Sequence, residues 1–208
     1  FYYVFQTHLD LGWTDRVGPT VEKLKKMTGE EAIDVCDRFR DRPPGERFVW
    51  TCECSDALRM AWAGADAAHR KRLQEFIRAG LIRCCAFPFS FHTSLMSRDL
   101  LGRAIERSRT LRRDLGVEDA LDLSVAQSND VPGYSWIVPD VLAEKGLRRA
   151  ILGNNALVRA CRLPPLFRWR GPGGGEVLAY STTCASYGTE FPVPQRPEGT
   201  DMLLKAAD

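Results

Sequence analysis

Short apolar runs of β-branched and aromatic residues alternate along the chain with longer stretches whose apolar positions return every three or four residues. The first pattern predicts strands and the second helices. Strands are expected at about 1–6, 47–52, 81–87, 121–126 and 149–152, and helices at about 18–40, 55–63, 66–79, 97–115 and 135–146. The stretch 97–115 is the clearest helix, with Ser97 as its cap, Leu100, Leu101, Ala104, Ile105, Ser108 and Leu111 on one face, and Gly116 as its stop. Strands joined by helical crossovers predict an α/β fold with a mostly parallel sheet. After residue 155 the style changes. "LFRWRGPGGGEVLAYS" (166–181) carries a β-hairpin signal, and "EFPVPQRPEG" (190–199) is a Pro-rich loop. The expected organisation is one α/β domain over 1–208, with an alternating core to 155 and a hairpin-and-loop extension from 156.

Composition narrows the classes. Lys and Arg number 29 against 27 Asp and Glu, so no positive field of the kind nucleic acids require is present. The basic residues of "HRKRLQEFIR" (69–78), His69 among them, fall at helical spacing and suit a solvated face. No apolar stretch reaches the roughly 20 residues of a membrane-spanning helix. Neither a nucleic acid nor a membrane is an expected partner. Seven cysteines, an odd number without a C-x-x-C pair, argue against a disulfide framework and against a thiolate zinc site, which favours a reducing compartment. The chain starts inside a strand-like run without Met and stops at an incipient helix, "GTDMLLKAAD" (199–208), so both ends are expected to be cuts in a longer protein.

Candidate chemistry begins in "FYYVFQTHLDLGWTDR" (1–16). Residues just past the carboxyl end of a parallel strand line the ligand crevice. In an extended segment positions i and i+2 face the same side, so His8 and Asp10 can converge on one ion, and a nitrogen–oxygen donor set suits zinc. Gly12 permits a sharp bend and Trp13 offers a flat wall to a ring. The same residues also suit a hydrogen-bonded strand-end histidine and a turn aspartate. Asp130, in "LSVAQSNDVPGYSW" (123–136), occupies the equivalent place after its own strand, although D-V-P-G is also a common turn.

Other residues have two readings each. His92, in "FPFSFHTSLMSRD" (87–99), either reaches the same crevice or caps a helix. Trp13, Phe89, Phe91 and Trp136 either stack on a ring or belong to the core. Glu53 either orients a ligand from behind or is a plain surface glutamate. "GPGGGE" (171–176) lacks the Lys-Ser/Thr and the helix of a phosphate cradle and reads as a hairpin turn, and no G-x-S-x-G elbow is present.

Taken together these stretches resemble the family 38 glycoside hydrolases, the retaining α-mannosidases, and proteins related to them. "THLDLGWTDR" (7–16) resembles the family's H-N-D-P-G-W, and "NDVPGYSWIVPDVLAEKGLRRAILGNN" (129–155) resembles its D-P-F-G-H-S segment and the helix and strand that follow. "RFVWTCECSDAL" (47–58) is similar to its R-F-x-W-x-E segment, and "PPLFRWRGPGGGEVLAYS" (164–181) to its F-x-W-x-G-x-D-G-S hairpin. The resemblance implies a distorted, seven-stranded parallel β/α barrel of the glycoside hydrolase/deacetylase type, truncated at both ends. It also implies a carbohydrate substrate, a Zn2+ cofactor held by His8, Asp10 and Asp130, and Asp130 as catalytic nucleophile. Trp13, His92, Tyr134 and Trp136 are the candidate substrate contacts.

The departures are equally definite. Leu11 stands where the family has proline, and Tyr134 where it has histidine. The family's fourth zinc ligand and its acid/base aspartate lie far downstream, so this chain alone is expected to be inactive. Two other readings stay open at the level of sequence: a metal-dependent polysaccharide deacetylase, and a carbohydrate-binding domain that has lost the chemistry.

Overall fold

In the computed structural model, which describes residues 5–6, 8, 10–13, 15–155 and 163–182, the apolar runs become seven strands. Strands β1 (Phe5–Gln6), β2 (Trp50–Cys52) and β3 (Ile82–Cys84) pair in parallel in that order, with Phe5 opposite Trp50 and Cys52 opposite Cys84. Strands β4 (Val125–Val131), β5 (Arg149–Asn154), β6 (Leu166–Arg170) and β7 (Glu176–Ser181) form a second sheet in the order β4-β5-β7-β6. All its pairs are parallel except β6 with β7, which is the expected hairpin. That hairpin does not stand apart, because β7 pairs with β5 and so extends the main sheet. The Pro-rich loop at 190–199 lies outside the described residues.

The sheets meet where Ala86 N–H donates to the Val125 carbonyl at 2.7 Å. Across the interior, the Gln127 amide on β4 donates to Gln6 on β1 at 2.8 Å. The strands therefore curl toward one another, yet among the described residues the two sheets remain open. The closed seven-stranded barrel that the resemblance implies is not formed by them.

Helices α1 (Val17–Lys26) and α2 (Ala32–Phe39) are one run interrupted by a π-turn at Met27–Glu31, where Gly29 lies against Ala61. Periodicity alone cannot distinguish this from one continuous helix. Helices α3 (Ser55–Gly64), α4 (Ala67–Arg78), α5 (Arg98–Asp114) and α6 (Val138–Glu144) complete the crossovers. In α5 the Ser97 hydroxyl accepts the Leu100 N–H at 3.1 Å, and Gly116 ends the helix at φ +63°, a conformation that costs glycine little. Leu101, Ile105 and Leu111 of this helix are buried in one cluster with Leu58, Ile77, Ile82, Leu142 and Val177, so the core is continuous across both sheets. Burying each such side chain contributes roughly 1.5–3 kcal/mol before the entropy of ordering the chain is set against it.

The glycine run of the hairpin turn has a structural cause. Asp140, buried on α6, accepts the N–H groups of Gly173 at 2.8 Å and Gly175 at 2.7 Å. A Cβ at Gly171 or Gly175 would lie 2.5 Å from Asp140 atoms, so only glycine lets the turn close around this carboxylate. Asp140→Ala is expected to lower stability by roughly 1–3 kcal/mol, since two N–H groups lose a charged acceptor. Urea unfolding would show a lower midpoint with an unchanged slope.

Candidate functional site

Chain direction places the site. In extended backbone His8 projects to the same side as Gln6, whose side chain already meets β4 through Gln127. One step further along both strands, His8 Nε2 lies 3.5 Å from Asp130 Oδ2 and 3.3 Å from Asp10 Oδ1. His8, Asp10 and Asp130 each bring a ligand atom within 4.8 Å of the others. Two donors on zinc bonds of 2.0–2.2 Å at a tetrahedral angle sit roughly 3.3–3.6 Å apart, so the His8 contacts have the spacing a zinc ion requires. The donor chemistry, one imidazole nitrogen and two carboxylates, also suits it.

Asp130 reaches this point through a β-bulge. Asn129 pairs with Gly153 and Val131 with Asn154, which leaves Asp130 outside the ladder. Its φ is +57°, a left-handed conformation that aspartate tolerates better than most residues. The bulge re-aims the carboxylate, Oδ2 toward His8 and Oδ1 toward the Asn155 amide, which donates to it. β4 therefore runs from 125 to 131, past the expected end at 126, and Asp130 belongs to the strand.

Behind His8 lies Glu53, 1% exposed. Its Oε2 is 3.0 Å from His8 Nδ1, and its Oε1 accepts the Ser90 hydroxyl at 2.7 Å. Ser90 Oγ in turn accepts the Asn129 N–H at 3.0 Å. Glu53 is held there because Ser55 N–H bonds the Phe87 carbonyl at 2.8 Å and the Ser55 hydroxyl bonds that of Ser108 at 2.7 Å, fastening the start of α3 to the segment after β3 and to α5. Burial works against the His8 imidazolium, but the hydrogen bond and charge of Glu53, then the charges of Asp10 and Asp130, outweigh it. The net result is a basicity above that of an ordinary histidine.

The other expected contacts separate into two groups. Trp13, 87% exposed, and Trp136, 74% exposed, lie on the loops after β1 and β4, and Leu95, not singled out by the sequence, is 84% exposed in the segment between β3 and α5. The Thr93 hydroxyl accepts the Ser135 N–H at 2.9 Å and so ties the Leu95 segment to the Trp136 loop. His92 is exposed beside them. Tyr134 is engaged elsewhere, its hydroxyl donating to the Ser128 carbonyl at 2.7 Å and its ring meeting Trp169 edge-on at 6.1 Å. Burial pushes the Tyr134 phenol well above its ordinary pKa. Phe89 and Phe91 pack into the interior, Phe91 at 5.3 Å from Phe87. His69 pairs with its helix cap Asp66 at 2.9 Å. A surface cavity of about 560 Å³ between α1, α3 and α4 is lined in part by Asp66 and His69 but by none of His8, Asp10 and Asp130, and Glu22 pairs there with Lys25 as Asp66 does with His69.

Sequence reasoning left Glu53 undecided and did not reach Ser90 or Asn155. Only the position of Asn155 at the end of a parallel strand could have marked it. Among the described residues the buried cysteines Cys36, Cys52, Cys54, Cys84 and Cys85 are free thiols. Burial raises the Cys36 thiol to about 11 and the Cys85 thiol to about 12, which makes both poor nucleophiles. Among the described residues no helix is long and apolar enough to cross a membrane.

Residues 1–202 match the sequence profile described as the glycosyl hydrolases family 38 N-terminal domain. No curated protein matches the chain. Among solved structures, an α-mannosidase from Enterococcus faecalis V583 is similar with a TM-score of 0.77 at 15% identity, covering 98% of this chain and 22% of its own. A glycosyl hydrolase family 38 protein from Enterococcus faecalis follows at 0.68 and 13%, covering 98% and 20%. A 4-α-glucanotransferase from Thermococcus litoralis reaches 0.64 at 13%, covering 98% and 30%. At these identities the likeness shows the fold, and the chain spans about a fifth of the first two structures.

Proposed function

The chain belongs to glycosyl hydrolase family 38, whose N-terminal domain it carries, and from that membership we propose that it contributes the nucleophile and metal-binding half of a zinc-dependent retaining glycosidase acting on α-linked mannose or a related sugar. The observation that carries the reading is the convergence of His8, Asp10 and Asp130 at the carboxyl ends of β1 and β4. His8 Nε2, Asp10 and one oxygen of Asp130 would hold the ion. Zinc bound there supplies a template for ring hydroxyls and charge that stabilises the transition state.

The chain's own residues would supply the nucleophile and its support. Asn155 orients the Asp130 carboxylate. Asp130 attacks the anomeric carbon as the bond to the leaving oxygen breaks, and that oxygen takes a proton from a general acid, giving a glycosyl ester on Asp130. The same group, now a base, removes a proton from water, which attacks the anomeric carbon and frees Asp130 with net retention. The family resemblance supports an acid/base carboxyl supplied from outside these 208 residues, and the full-length protein is therefore the one to assay. Exposed Trp136 and Leu95, on segments tied together through Ser135 and Thr93, and exposed Trp13 after β1 are suited to sugar faces, with His92 as a polar contact and Tyr134 supporting the Asp130 loop through its bond to Ser128.

The test is turnover of an aryl α-mannoside by the full-length protein, with bound metal measured by mass spectrometry. Turnover with one zinc per site is expected, and in the same assay Trp136→Ala raises KM several-fold with kcat largely kept. Acetate release from acetylated sugar without glycoside cleavage would replace this reading by a deacetylase. Sugar binding with neither activity would leave a binding domain.

A further inference from the structure

We infer that Glu53 is a positioning residue that fixes His8 as the Nδ1–H tautomer and thereby turns the Nε2 lone pair toward Asp10 and Asp130. The zinc consequence of this inference rests on the function proposed above, whereas the tautomer itself does not. Glu53 is almost wholly buried, and both its oxygens are used, Oε1 by the Ser90 hydroxyl and Oε2 by His8 Nδ1. An ionised carboxylate only accepts hydrogen bonds, so the proton shared with His8 sits on Nδ1. In neutral His8 the lone pair is then on Nε2, which faces carboxylate oxygens at 3.3 and 3.5 Å. A lone pair aimed at two anions is unfavourable unless a cation or proton lies between them, which makes the place selective for a positive ion.

Ser90 makes the arrangement rigid. Its single proton goes to Glu53 and its lone pair takes the Asn129 N–H, one residue before Asp130. A line of hydrogen bonds thus runs from the β4 backbone through Ser90 and Glu53 to His8, registering the residues that follow β1 against the bulge that carries Asp130. Outer partners of this kind typically change metal affinity 10- to 100-fold when removed.

Glu53→Met in the full-length protein keeps a long buried side chain and removes the acceptor. Zinc affinity, measured by competition with a chromophoric chelator, is expected to fall about 10- to 100-fold, while the metal-free protein stays folded by circular dichroism. Nitrogen-15 shifts of labelled histidine in metal-free protein, taken at a pH high enough for His8 to be neutral and assigned with His8→Gln, are expected to show Nδ1–H in the wild type and a tautomer mixture in Glu53→Met. A wild-type Nε2–H tautomer overturns the inference, as does zinc affinity in folded Glu53→Met within about threefold of wild type. If Glu53→Met does not fold, Ser90→Ala frees the carboxylate to rotate. It should weaken zinc several-fold, and unchanged affinity there overturns the inference too. A wild type that holds no zinc removes the functional reading, and the histidine tautomer alone then decides the role of Glu53.

Discussion

Asp130→Asn is expected to lower kcat/KM for an aryl α-mannoside by about 10,000-fold or more in the full-length protein, with the fold unchanged. Asparagine is the informative replacement because Asp130 sits at φ +57°, where Asn is tolerated and Ala would add backbone strain of its own. The amide oxygen can still accept from Asn155, so the bulge and the end of β5 stay in place. What disappears is the negative charge. An amide cannot form the glycosyl ester, and as a metal ligand it offers only a neutral oxygen. A slow substrate that traps the intermediate should add one hexosyl mass to the peptide containing Asp130 in wild type and none in the variant. If the variant stays within about 100-fold of wild type, the nucleophile lies elsewhere and Asp130 serves only the ion.

The same bulge shows why this part of the site was only half legible in the sequence. The residues Gln127-Ser128-Asn129 read as a polar loop, because strand signals rest on apolar or alternating positions. In the fold all three are buried with polar partners, the Gln127 amide bonding Gln6, the Asn129 N–H bonding Ser90 and the Ser128 carbonyl accepting the Tyr134 hydroxyl. Periodicity therefore ended the strand where the site begins. α5 was legible to within a residue because its signals are local, a serine cap, an apolar stripe and a terminating glycine. The expected helix at 135–146 begins instead at Val138, with Pro139 in its first turn.

His8 and Asp10 were legible as a pair because two-residue spacing in an extended segment fixes their common side. Their meeting with Asp130 was not, for it depends on curling β1 toward β4 across two intervening strands, and only resemblance could supply that. Glu53 was the least legible. Nothing in "TCECSD" (51–56) distinguishes a surface glutamate from one buried against a histidine 45 positions earlier. Its burial follows from α3 being fastened to α5 and to the segment after β3, all of it tertiary.

Zinc affinity is expected to weaken as pH falls, beginning above the range in which an ordinary histidine protonates. The ion needs the lone pair of His8 Nε2, so a proton competes for it, and below the pKa of metal-free His8 affinity should drop about tenfold per pH unit for one competing proton. Burial by itself would lower that pKa, but the Glu53 hydrogen bond and the charges of Glu53, Asp10 and Asp130 carry it above the usual 6.5. The metal-free fold responds with the opposite sign. A group whose pKa is higher folded than unfolded stabilises fully below the unfolded value, and that contribution is lost as pH rises through the folded value. Metal-free protein should thus lose His8-linked stability on going from about pH 6 to mildly alkaline solution, while the rise in Tm produced by saturating zinc grows over the same interval. Thermal unfolding with and without zinc across this range reads both slopes. A zinc-induced shift that is flat through it would mean that no histidine gives up a proton to the ion, and His8 would then be held by its three carboxylates for structure alone.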